Sequence, residues 1–130
     1  SPFLVINGIV AQLNQRQKQI EDRRADVRYP MGAALKLGVC HSRTHRFLPV
    51  CSAWGTDLSN QGMGLLTEKE MTGGLQLIVD LMPLVGKPFY MPIRILYCQN
   101  LFGGVYRIGG SFLFDEFDQF HNRLKTAESA

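Results

Sequence analysis

The chain has 130 residues, 45% of them hydrophobic and 19% charged. That length suits one domain, the balance excludes wholesale disorder, and no run approaches the ~20 apolar residues of a membrane-spanning helix. The formal net charge of +3 is too small to argue for nucleic acid, but it is unevenly placed: residues 15–46 carry eight Lys or Arg against three Asp or Glu, and residues 47–130 carry six against eight. A positive excess at the front of the chain requires a local reason.

Residues 3–24 predict a helix, because Ile6, Ile9, Leu13 and Ile20 step by three, four and seven. Its seam suits a solvated linker, or pairing with a second copy or a parent domain. Two heptads do not decide between these. We therefore divide the chain into a helix or linker over 1–22 and a β domain over 23–130. Pro30 disfavours helix before it, and from there the period becomes two. Leu35, Leu37 and Val39 alternate with Lys36 and Gly38, and Leu75, Leu77, Val79 and Leu81 with Gln76 and Asp80. Phe89, Met91, Ile93, Ile95 and Tyr97 form one face of a further strand, and Tyr106, Ile108, Gly110, Phe112 and Phe114 that of another. Less regular strands are expected over 48–57 and 62–67. Turn signals fall at Asn60-Gln61-Gly62, Thr72-Gly73-Gly74, Val85-Gly86-Lys87-Pro88 and Phe102-Gly103-Gly104. The fold class is mainly β, a six-stranded antiparallel barrel of Greek-key type with an N-terminal helix and a C-terminal capping helix. That last helix, over about residues 115–127, starts with Asp115, Glu116 and Asp118. It is expected to lay Phe117, Phe120 and Leu124 over one mouth of the barrel, with His121 in a structural role beside them.

Three cysteines, Cys40, Cys51 and Cys98, with no CxxC pair make a poor disulfide framework and point to a reducing, cytoplasmic compartment. No secretory signal pattern opens the chain, and a first residue Ser1 instead of Met fits the cytoplasmic domain of a longer protein.

Two short patterns concentrate chemistry. Arg24 and Arg28 form RxxxR behind Arg23, and Asp57-Leu58-Ser59-Asn60-Gln61-Gly62 is DxSxxG. Singly, the first marks an ordinary solvated helix face and the second an ordinary polar turn. Their order says more: RxxxR stands just before the first strand, and DxSxxG stands at a later strand-to-strand junction.

RRADVRYP followed by TDLSNQGMGLL resembles the PilZ domain, a bacterial receptor module for cyclic di-GMP. Tyr106-Arg107-Ile108-Gly109-Gly110-Ser111-Phe112 is similar to that family's last strand, which usually carries a Gly and an aromatic two residues apart. The resemblance covers residues 22–125 and includes both ligand motifs in full. It implies a six-stranded barrel with a C-terminal helix, in agreement with the strand pattern. It also implies cyclic di-GMP as the ligand of a non-enzymatic receptor, with no catalytic residue, metal or cofactor. Arginine suits this ligand because its planar guanidinium matches guanine O6 and N7, pairs bidentately with phosphate and stacks on bases. Arg24 and Arg28 would clamp guanine edges and phosphates, with Arg23 a third contact. Asp57 would accept from guanine N1–H and N2. Ser59 would reach a phosphate or base edge, and Asn60 would assist. Gly62 would let backbone approach the ligand or take positive φ. Ligand binding would order the arginine segment against the Asp57–Gly62 turn, and a downstream protein or attached domain would read the change into biofilm or motility regulation. The N-terminal helix could form a homo-oligomer, and no nucleic-acid partner is expected.

Three other readings use other residues. Cys40, His41, His45 and Cys51 could form a metal cluster, but their spacing matches no strong zinc pattern. A basic barrel binding nucleic acid would use Arg43, His45 and Arg46 with Trp54 as a stacking platform. A degenerate PilZ-like adaptor would bind only protein.

Overall fold

Period-two patterning from residue 29 onward builds six antiparallel strands that close on themselves. The computed structural model describes residues 1–16 and 28–129. Ile20, Arg23 and Arg24 lie outside the described residues. The elements in chain order are α1 (Pro2–Arg16), β1 (Tyr29–Cys40), β2 (Phe47–Leu58), β3 (Gly62–Thr67), β4 (Gln76–Asp80), α2 (Met82–Val85), β5 (Tyr90–Phe102), β6 (Val105–Phe112), a 3₁₀ turn (Phe114–Glu116) and α3 (Phe117–Ser129). The strands form a closed barrel in the order β1-β2-β3-β6-β5-β4, every neighbour antiparallel. Closure leaves the barrel without a full-length sheet edge.

Inward residues of all six strands meet in one apolar cluster that includes Leu37, Leu58, Leu65, Val79, Ile93 and Ile108, all fully buried. Each such side chain contributes roughly 1.5–3 kcal/mol by leaving water. The cluster extends into α1, whose Ile6 and Ile9 are buried against it, with Val5, Val10 and Leu13 packed alongside. Phe3 meets Phe114 edge to face at 5.5 Å. The described part of the seam that sequence spacing offered to a partner helix, Ile6, Ile9 and Leu13, therefore packs against the chain's own barrel. Helix α1 thus shares the barrel's core.

The tail helix also departs from expectation. Phe117 reaches the main cluster, its ring tilted against Phe89 at 4.8 Å. Beyond it, Leu124 and Phe120 cover Ile78 and Tyr90 in a second, smaller cluster. Ile78 and Tyr90 neighbour the inward Val79 and Met91 in sequence, so they point to the outer side of the wall. Most of α3 thus lies along the outside of β4 and β5, while α1 packs against the core near α2 and the Phe114 turn. Helix α2 escaped the sequence reading because four residues carry no period. Its signals are nonetheless in place: a proline at its start, and Gly86 closing it at φ 86° with its N–H donated to the Met82 carbonyl at 2.8 Å.

His121 fastens α3 to the wall. Its Nδ1 accepts the Tyr90 backbone N–H at 3.3 Å, and its ring stacks on Phe117 at 4.7 Å. Burial holds its pKa below the ordinary 6.5; Lys125 and Lys87 push the same way and Asp118 opposes them. The unfolded chain then takes the proton more readily than the folded one. This contribution to stability is complete above pH 6.5 and is lost as pH falls through the lower folded value. Thermal melts between about pH 7.5 and 5 should show that loss, and His121→Gln should flatten it. An unchanged pH profile in the variant would show that the imidazole does not carry it.

Candidate functional site

Regular alternation along β2 puts Ala53 and Gly55 inside the barrel and would put Asp57 inside as well. The structure avoids this with a β-bulge. Gly55 pairs with Leu65, but Asp57 pairs with Gly64, so Thr56 is an extra residue in β2. The inward place passes to Leu58, and the Asp57 carboxylate turns to the outer wall. A second bulge does the same in β5. Ile95 pairs with Gly110, but Tyr97 pairs with Gly109, so Leu96 is the extra residue. Cys98, packed on the core, takes the inward place, and Tyr97 emerges at 45% exposure. The sequence reading had placed Tyr97 on the inward face with Ile93 and Ile95, and the bulge corrects it.

The two bulges share one rung of the barrel. Pro30 pairs with Asp57, Asp57 with Gly64, Gly64 with Gly109 and Gly109 with Tyr97. Both central positions need glycine. A Cβ at Gly64 would collide with the Asp57 carboxylate, and one at Gly109 with the Tyr97 ring. Asp57 and Tyr97 therefore fold down over bare backbone from opposite sides. With strands ~4.8 Å apart, three spacings separate their backbones, about 14 Å measured along the curved wall. Between them opens a cleft of about 590 Å³ lined by Arg28, Pro30, Thr56, Asp57, Tyr97 and Arg107, a volume within the usual range for small-molecule sites.

Arg28 and Asp57, 29 positions apart in sequence, meet directly: Arg28 Nη1 donates to Asp57 Oδ1 at 2.8 Å. The Thr56 hydroxyl donates to Oδ2 at 2.9 Å. With both side chains 29% exposed, the ion pair contributes only about 0–1 kcal/mol to stability. Its effect is on position, since it fixes one guanidinium and one carboxylate at the cleft's edge. A carboxylate has about four acceptor sites, and two of those on Asp57 are taken.

The other candidates divide. Asn60 is exposed at the tip of the β2–β3 turn. Ser59 is fully buried; its Oγ accepts from the Gln61 and Gly62 backbone N–H groups at 3.2 and 3.1 Å and donates to the Gly62 carbonyl at 3.3 Å. The hydroxyl expected at a phosphate or base edge is thus part of the turn's own bonding. Gly62 does not adopt positive φ. It is glycine because a Cβ would strike the Gly110 carbonyl oxygen across the β3–β6 pair. The second half of DxSxxG shapes the turn behind Asp57.

The rival clusters come out as follows. His41 Nδ1 accepts backbone N–H bonds from Arg43 and Thr44, both at 3.2 Å, and so holds its own loop. Burial pushes the Cys40 and Cys51 thiols up, away from the thiolate that binds metal. Among the described residues, no group of three or more His, Cys, Asp or Glu converges, and no helix is long and apolar enough to cross a membrane. Trp54 is half exposed on the outer wall, where it covers Gly32 and lines a separate cleft with Leu66 and Val105. Arg43, His45 and Arg46 sit on the β1–β2 loop, at the far end of β1 from Arg28.

Sequence reasoning missed Thr56, Tyr97 and Arg107, and the reason for Gly64 and Gly109. The available signal was a pair of strand glycines, each in a segment otherwise suited to side-chain packing.

No protein-family model matches the sequence, and no curated protein matches it. Two solved structures resemble the fold. The PilZ domain of YcgR from Escherichia coli, with c-di-GMP, is 16% identical; the match covers 80% of this chain and 87% of that one at a TM-score of 0.49. The K. pneumonia MrkH–c-di-GMP complex is also 16% identical; the match covers 82% of this chain and 51% of that one at a TM-score of 0.50. The chain thus spans about half of the MrkH chain, and the likeness is one of fold. The barrel expected from the PilZ resemblance is the barrel observed.

The bare rung gives a test. Gly64→Ala drives a methyl into the Asp57 carboxylate and should cost about 1–3 kcal/mol, seen as a fall of several degrees in Tm. On an Asp57→Ala background the cost should shrink. Equal costs on the two backgrounds would mean that Asp57 does not occupy this space.

Proposed function

We propose that this chain is a cyclic di-GMP receptor domain and not an enzyme, acting in the cytoplasm and passing ligand occupancy to a downstream protein or an attached domain. The observation that carries this reading is the direct bond between the two motifs, from Arg28 Nη1 to Asp57 Oδ1. Likeness of fold to the MrkH–c-di-GMP complex supports it.

A guanine presents acceptors O6 and N7 on one edge and donors N1–H and N2–H on the next. A guanidinium and a carboxylate held side by side offer the complementary pair. Arg28 serves the acceptor edge or a phosphate, and Asp57 serves the donor edge through its remaining lone pairs. Arg24 and Arg23 precede Arg28 by four and five residues and supply further cations to the two phosphates and the second guanine. Asn60 contributes from the turn tip. Ser59 and Gly62 act on the ligand only by shaping the turn. Binding draws the arginine segment onto the wall around Asp57, and this ordering is the switch. Each charge-assisted bond contributes about 1.5–3 kcal/mol. Three or four of them, less the ordering cost, reach the roughly −8 kcal/mol of micromolar affinity.

Isothermal titration calorimetry with cyclic di-GMP tests the reading. Saturable binding at low-micromolar ligand is expected, and Arg28→Ala or Asp57→Ala should abolish it while leaving the melting transition cooperative. Absence of heat, together with an unmoved Tm at tens of micromolar ligand, would sink the receptor assignment.

A further inference from the structure

We infer that Tyr97 and Arg107 form the second wall of the ligand site, with Tyr97 as a stacking surface for a guanine and Arg107 as a fixed guanidinium for a phosphate or a guanine edge. The inference rests on the receptor reading above and extends it to residues outside both motifs.

An aromatic residue in a small barrel normally gains most by facing the core, and regular alternation would have sent Tyr97 there. A bulge at Leu96 turns it outward instead, onto the rung that carries Asp57. The ring lies across Gly109, where no side chain can lift it. With its inner face on the sheet, its outer face is left toward the cleft. Among the described residues it has no aromatic partner and no side-chain hydrogen bond. Such a flat, supported and solvent-facing ring is the platform on which bases stack. Arg107 stands two residues before Gly109 on β6, hence on the same face, and is exposed at the cleft. It makes no ion pair among the described residues, in contrast to Arg28, which is held by Asp57. A ligand spanning the floor from Asp57 to Tyr97 would have one base edge read at the first and one base face covered at the second.

A purely structural reading gives Tyr97 one task, covering the Gly109 backbone. Calorimetry on the 130-residue chain separates the two, using cyclic di-GMP with wild type, Tyr97→Leu, Tyr97→Phe and Arg107→Gln. Tyr97→Leu should weaken binding by about tenfold or more, while Tyr97→Phe stays within about twofold of wild type. Arg107→Gln should weaken binding to a similar extent, with an affinity less sensitive to salt. Wild-type affinity in both Tyr97→Leu and Arg107→Gln, whether or not Tm falls, would overturn the inference and leave the receptor reading standing. A wild-type chain that binds no cyclic di-GMP overturns both. If Tyr97→Leu fails to fold, the exposed Arg107→Gln decides alone.

Discussion

Side chains on a strand alternate strictly between two faces, so only a change in the number of residues can move one from the inside of a barrel to the outside. This barrel's interior is apolar, and an unpartnered carboxylate there would be prohibitively costly. Everything distinctive about the outer wall follows from how that constraint is met. Thr56 as an extra residue puts Asp57 outside and Leu58 inside; Leu96 does the same for Tyr97 and Cys98. Two glycines between them leave the floor flat enough for both side chains to lie down. The core remains continuous, and a polar, aromatic-edged cleft is built on its back.

The helices serve this arrangement indirectly. Ile6 and Ile9 draw α1 into the core, so the chain leading to Arg28 starts from a fixed body. Helix α3 covers the outside of β4 and the start of β5, where Ile78 and Tyr90 would otherwise face water. The outer face bearing Asp57, Tyr97 and Arg107 stays open as a cleft. The Arg28–Asp57 pair adds little to stability. Its effect is to hold two groups of opposite charge side by side at the cleft's edge.

Much of this was legible in the sequence. Six strands were readable because β-patterning survives over most of their length, and the turns between them are marked by Gly and Pro. Arg28 and Asp57 were readable because residue type and order suffice to single them out. The irregularity of residues 48–57 was visible, but its cause was not, since a bulge leaves no residue type behind. The seam of α1 was correctly apolar, yet periodicity alone cannot say whether its own barrel or another helix covers it. Ser59 and Gly62 were read as ligand contacts because they belong to a ligand motif. In the fold Ser59 Oγ bonds within the turn, and Gly62 makes the close β3–β6 approach. Tyr97 and Arg107 belong to neither ligand motif, and only the register of β5 and β6 brings them to Asp57.

The bulge at Leu96 has a consequence for how such a wall can change over generations. Many residues could stand at position 96 without altering the register, because its side chain is exposed. Deleting that one position would restore regular pairing and still leave Tyr97 outside and Cys98 inside, because their faces are those of strict alternation counted without residue 96. The altered chain would keep nearly the same composition and both arginine and aspartate motifs. Two such lineages would present the same outward side chains, and the bulge itself would be recorded as a single gap in a sequence comparison, not as a changed letter.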